Sequence, residues 1–191
     1  MRAPGVEQLN ALADLFAEAL SFCRPESLAI LGIAGGNGLD RVDGAVTRRI
    51  VGVDIHPEYL EAVRERHPEL PLTLLCADLQ RELPVQEPVQ MVHAALVFEH
   101  AGMDGCLRNA VDLVAGQRYL TVVLQLPSRS QAGVAPTGFA SIQNLKENFR
   151  LIEPSEFCSV VSAMGLALVR ERECALAGGK SFWMGIFRQG R

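Results

Sequence analysis

Between Val6 and Phe22 the apolar residues Leu9, Leu12, Ala13, Phe16 and Leu20 recur at helical spacing, and Arg24-Pro25 ends that helix. The pattern then changes to short apolar runs. Leu28 to Leu31 and Ile50 to Val53 read as the first two strands, and a helix from His56-Pro57-Glu58 to about Arg66 follows, with Pro57 suited to the first helical position and Pro68 closing it. Leu72 to Cys76 and Met91 to Leu96 read as strands three and four, separated by a loop over Pro84 to Pro88. A helix covers about Gly105 to Ala115, and Tyr119 to Leu126 is a run long enough for a central strand covered on both faces. Glu153-Pro154-Ser155-Glu156 opens a last helix that Gly165 terminates; Leu166 to Leu176 and Ser181 to Arg188, joined through Gly178-Gly179, predict a β-hairpin.

Strands alternating with helices imply parallel neighbours, because parallel strands need crossover connections. The expected fold is therefore α/β: a seven-stranded, mostly parallel, doubly wound sheet that ends in an antiparallel hairpin. A chain of 191 residues, 49% hydrophobic and 21% charged, fits one soluble domain. Within it, 1–24 would be the N-terminal helix, 28–126 a cofactor-binding core, 127–153 a lid and acceptor region, and 154–191 the last helix and hairpin. The net charge of −4 argues against nucleic acid or anionic membrane as partner, and the first helix carries Glu7, Asp14 and Glu18 where a signal segment would be uncharged. Five cysteines with no Cys-x-x-Cys pair suggest neither a metal site nor a disulfide framework; they read as buried thiols in a reducing cytoplasm.

The candidate chemistry begins where the first strand meets Gly32-Ile33-Ala34-Gly35-Gly36, with Asp54 closing the second strand. Glycines let backbone N–H groups approach a ligand with no Cβ in the way, and a carboxylate at the end of the next strand can accept both hydroxyls of a ribose. The spacing does not match a dinucleotide fingerprint: counted from Gly32, the second and last glycine positions hold Ala34 and Asn37. Gly179-Lys180-Ser181 resembles the end of a phosphate-binding loop, but Cys174 stands at its first glycine position and flanking apolar runs make it a hairpin turn.

In these elements the chain resembles the class I S-adenosylmethionine-dependent methyltransferases from its first strand to its end. The resemblance implies that Gly32, Ile33, Ala34, Gly35 and Gly36 lie under the methionine part of S-adenosyl-L-methionine. It also implies that Asp54, with Ile55 beside it, binds the ribose, that Ala77-Asp78-Leu79 meets the adenine, and that Leu96-Val97-Phe98-Glu99-His100 runs past the methionyl end. Two positions depart from the family pattern. Ile30 stands where many members carry an acid, so it cannot organise the methionyl ammonium, and Ala34 replaces the middle glycine. As plain residues, the alternative for Asp54 is a cap ahead of Pro57, and for Asp78 a turn or cap residue.

Glu99 and His100 are the candidate catalytic residues. Either could remove a substrate proton; alternatively Glu99 starts a helix, favoured by its dipole, and His100 packs against the turn. His56 reads as a rim residue over the cofactor, while His67 and His93 carry no signal. The arginine pairs Arg48-Arg49, Arg64 with Arg66, and Arg170 with Arg172 read as solvated faces. Pro127 to Gly138, rich in turn residues, reads as the lid. The resulting expectation is methyl transfer to a small-molecule acceptor. The competing expectations are a methyltransferase-like module that binds cofactor or partner without transfer, and a nicotinamide-dependent oxidoreductase.

Overall fold

The computed structural model describes residues 4–81, 87–114, 118–127 and 149–189. Its elements are α1 (Pro4–Cys23), β1 (Ser27–Leu31), β2 (Arg49–Asp54), α2 (Pro57–Arg66), β3 (Leu72–Cys76), β4 (Met91–Ala95), α3 (Phe98–Ala101), α4 (Asp104–Leu113), β5 (Tyr119–Leu126), α5 (Pro154–Ala163), β6 (Leu166–Ala175) and β7 (Ser181–Gln189). The predicted elements are all present, and α3 is an addition. They form one seven-stranded sheet in the order β3-β2-β1-β4-β5-β7-β6. β1 to β5 pair in parallel, whereas β7 is antiparallel to both β5 and β6.

The hairpin thus inserts its second strand into the sheet and leaves its first at the edge. Side-chain chemistry explains the order: Phe182 to Phe187 of β7 are buried without a break, while β6 carries Arg170, Glu171, Arg172 and Glu173 and is exposed along most of its length. Along β6 the two arginines share one face and the two glutamates the other. Pairing the strand antiparallel with a second copy keeps faces matched, so it would set like charges opposite one another. That pattern protects the edge from self-association.

Two cores flank the sheet. On one face α4 and α5 pack through Leu107, Ala110, Phe157 and Val161 onto Trp183 and Phe187; on the other, α1 and α2 pack through Leu15, Phe16, Leu60 and Val63 onto Ile50, Met91 and Met184. Strand–helix alternation fails at the first crossover. Between β1 and β2 there is only a 3-10 turn, Leu39–Arg41, and α1 takes the covering role there. The Asn37 side chain donates to the Leu9 carbonyl at 3.0 Å, and Leu39 is buried in the α1 core. Glu18 on α1 accepts from Arg170 Nη2 at 2.7 Å and also binds Arg172. These two arginines are exposed, as read from sequence, and also tie the edge strand to α1.

The hairpin tip returns to the edge where the parallel strands end, since Leu126 pairs with Ser181. There the Ala177 amide donates to Glu7 Oε1 at 2.8 Å and Lys180 Nζ reaches Gln8 Oε1 at 3.3 Å, so the first turns of α1 border the same edge. All five cysteines are free thiols. Cys106 is buried as expected, but Cys76, at the end of edge strand β3, is exposed. Among the described residues no helix is long and apolar enough to cross a membrane. Most of the lid expected over 127–153 lies outside the described residues.

Candidate active site

The glycine turn leaves β1 with Gly32 at φ +64°, where an added Cβ would stand 2.8 Å from Val97 Cγ2. Ile33 N–H donates to the Val53 carbonyl at 3.0 Å, and Ala34 N–H donates to Asp54 Oδ2 at 2.9 Å. The turn is therefore held against the end of β2 by the carboxylate that the sequence singled out. Ala34 sits at φ 45°, a left-handed conformation that costs an L-residue about 1 to 2 kcal/mol. This explains physically why a glycine suits the position. Ala34→Gly is accordingly expected to raise stability by up to about 1 kcal/mol, since it relieves strain at some entropic cost. Gly32→Ala should lower stability, from both its φ and the Val97 contact; urea unfolding of the two variants should show opposite signs.

Past Ala34 the amides of Gly35, Asn37 and Gly38 have no hydrogen-bond acceptor among the described residues, so the turn presents donors. The Gly35 carbonyl accepts from Arg66 Nη1 at 3.0 Å, a contact the sequence reading of Arg66 as solvated missed. Because only a 3-10 turn follows, no α-helix N-terminus faces the loop, the feature on which dinucleotide sites rely for a pyrophosphate. This counts against the oxidoreductase reading.

Asp54 is 6% exposed, and its second oxygen, Oδ1, accepts the His56 amide at 3.0 Å as the chain enters α2. The helix cap itself is His56, not Asp54. Ile55, next in the chain, is 57% exposed, an apolar side chain left open at the strand ends. Ala77 N–H bonds the Asp54 carbonyl at 3.0 Å, which carries the edge on to Asp78 and the buried Leu79. Asp78 accepts the Gln80 amide at 3.0 Å through Oδ1 and lies 3.3 Å from Arg81 Nε through Oδ2. It forms the turn that sequence allowed and remains partly open.

β4 ends abruptly. Leu96 N–H makes a last ladder bond to Val123 O at 2.9 Å, and Leu96 at φ 57° swings the chain out of the sheet into α3. Among the described residues three non-glycine positions have positive φ, and two of them, Ala34 and Leu96, lie at this edge; strain of this kind collects at functional sites. With β4 gone, the Gln125 amide of β5 has no strand neighbour on that side. Glu99 Oε1 supplies the acceptor at 2.7 Å, and the Glu99 carbonyl accepts the Arg150 amide at 2.9 Å.

Glu99 is 1% exposed and its Oε2 is buried with no hydrogen-bond partner among the described residues. Burial pushes its carboxyl up to about 7, opposed only by its amide contacts. His100 points the other way: it is exposed, and its ring centroid lies 5.0 Å from that of Phe149. Partial burial lowers its pKa below the ordinary histidine value. The structure gives no hydrogen bond between the two, so Glu99 does not orient the imidazole.

His93 carried no sequence signal, yet it is buried in β4. It stacks on Phe16 at 4.4 Å, its Nδ1 lies 2.8 Å from Thr121 Oγ1, and burial drives its pKa down to about 3. Unfolded, it would take up a proton below about 6.5, so folding weakens as pH falls from there toward 3. Glu99 acts in the opposite sense: folded it keeps a proton that the unfolded chain loses near 4.5, so folding weakens as pH rises from 4.5 toward 7. Between those ordinary values the two effects offset. Relative to wild type, Glu99→Gln is expected to make stability rise with pH by about 1.4 kcal/mol per unit over that window, and His93→Gln to make it fall by a similar amount. Urea unfolding at stepped pH checks this, and wild-type slopes in both variants would refute it.

A parallel sheet with an inserted antiparallel strand, a glycine turn at β1 and acids at the ends of β2 and β3 define a class I methyltransferase fold. Residues 29–117 match a family described as a methyltransferase domain. No curated protein matches it in sequence. Among solved structures it is similar to the N-methyltransferase NodS from Bradyrhizobium japonicum WM9, at 12% identity over 98% of this chain and 99% of that one, with a TM-score of 0.71. It is also similar to the magnesium protoporphyrin IX methyltransferase ChlM from Synechocystis PCC 6803 with bound S-adenosylmethionine, at 13% identity over 97% and 81% of the two chains, TM-score 0.70. A third similar structure is the [4+2]-cyclase SpnF, at 14% identity over 94% and 80%, TM-score 0.71.

Proposed function

We propose that the protein transfers a methyl group from S-adenosylmethionine to a small-molecule nucleophile. The observation that carries this reading is the junction of Ala34 with Asp54: a buried carboxylate at the end of β2 bonded to the glycine turn. The ribose would bind Asp54, the adenine would lie between Ile55 and Ala77-Asp78-Leu79, and the methionyl end would lie over Gly32 to Gly36 and beside Leu96. A small acceptor is supported by the magnesium protoporphyrin IX named for one similar protein, and by the absence of a basic tract in this sequence.

Methyl transfer from a sulfonium has a good leaving group already, so the protein must chiefly align nucleophile, methyl carbon and sulfur. Such alignment supplies about 7 to 11 kcal/mol. For an acceptor that must lose a proton, His100 is the group we assign as base, because it is exposed on the segment that leaves β4 and its lowered pKa keeps the imidazole unprotonated near neutrality. A module that binds cofactor without transfer is the second reading. It draws on Ile30, an 8% exposed aliphatic residue standing where an acid would organise the methionyl ammonium.

S-adenosylhomocysteine at a hundredfold excess over its dissociation constant should stabilise the fold by about 2.7 kcal/mol, a rise of about 5 to 10 °C in Tm for a chain of this size. A thermal-shift panel with NAD and ATP tests it. A shift with NAD and none with S-adenosylhomocysteine would overturn the reading; binding without methyl-donor consumption across an acceptor panel would favour the second.

A further inference from the structure

We infer that Glu99 is a positioning residue for the acceptor side of the site: it ties the segment leaving β4 to two other parts of the chain, the end of β5 at Gln125 and the return at Arg150. This rests on the functional reading above. The side chain holds Gln125 N–H at 2.7 Å, the main chain holds Arg150 N–H at 2.9 Å, and the neighbouring His100 ring packs on Phe149. Three stretches distant in sequence therefore meet at one residue of α3.

The reason is an accounting one. Leu96 turns out of the sheet after its bond to Val123, and the next β5 amide on that side would otherwise be a partly buried donor with no partner among the described residues, a cost of up to about 1 to 3 kcal/mol. A carboxyl from α3 replaces the missing strand carbonyl. Among the described residues it does so without a counter-charge. Of the charged groups on the surrounding segments, Arg150 pairs with Glu156, His100 faces Phe149, and no ionised side chain shifts Glu99.

A neutral, buried carboxyl makes the tie dependent on pH. An opening that exposes Glu99 lets it ionise at its ordinary value, so the opening becomes about tenfold more populated per pH unit from near 4.5 up to about 7 and is constant above that.

Backbone amide exchange in the free protein, read by NMR at pH 5 and 7 and corrected for intrinsic rates, tests this. Gln125 and Arg150 in the wild type should share one protection factor that falls roughly 30- to 100-fold between the two pH values. E99Q, which keeps an acceptor but cannot ionise, should retain protection at both pH values, and E99A should lose Gln125 protection. S-adenosylhomocysteine affinity of E99Q should stay within about twofold of wild type, because Glu99 acts on the acceptor side. Unrelated protection of the two amides, or the same pH response in E99Q as in wild type, would overturn the inference. Failure of the wild type to bind S-adenosylhomocysteine would overturn the functional reading beneath it while leaving the exchange pattern intact.

Discussion

Asp54→Ala is expected to weaken S-adenosylhomocysteine binding by about 2 to 3 kcal/mol, because the ribose hydroxyls lose a charged acceptor buried at the end of β2. The structure adds a second consequence. The same carboxylate accepts the Ala34 and His56 amides, so the variant should also lose stability and its glycine turn should loosen. Asp54→Asn should lose less affinity, since its remaining oxygen can accept one hydroxyl or the His56 amide. Calorimetric titration and urea unfolding on the same samples separate the two roles. Unchanged affinity in Asp54→Ala with a large loss of stability would make the residue a structural clamp and end its assignment to the ribose.

His100→Ala is expected to lower turnover by about 10²- to 10⁴-fold with an acceptor that must lose a proton, the usual range for removing an acid–base group, with little change in cofactor affinity. His100 lies on α3 with its ring against Phe149 and makes none of the hydrogen bonds that hold the glycine turn. Turnover of the wild type should fall as pH drops below the imidazole pKa, which burial sets below the ordinary histidine value, because the protonated ring cannot accept a proton. That acidic limb should vanish in His100→Ala. Turnover left intact would return His100 to packing on Phe149, and lost cofactor binding would move it into the cofactor pocket. Glu99→Gln in parallel distinguishes the base from the residue that positions its segment.

Ala34 and Leu96 show what can and cannot be seen in a string of residues. The glycine turn and the acid after β2 were visible as spacing, since a backbone that must approach a ligand excludes Cβ and a strand end presents its last side chain outward. That Ala34 would take a left-handed conformation, with its amide on Asp54, was not visible. It depends on where β2 ends relative to β1, and register is a property of the pair.

The adjacent Glu99 and His100 make the same point. Sequence marked them as an acid–imidazole pair, but neighbouring residues on a helix point about 100° apart, and only the unpaired Gln125 amide decides which of them turns inward. His93 gave no signal for a similar reason: its partners, Phe16 and Thr121, come from α1 and β5.

Local periodicity by itself determined the strands and most helices, the α/β class, and the glycine–acid signature, because apolar spacing reports which faces are buried within one element. The strand order with β7 inside β6, the substitution of α1 for a helix at the first crossover, and the inward turn of Glu99 were decided by tertiary structure. These are settled by which buried amides and apolar faces find partners far along the chain, and no pattern within a single element records them.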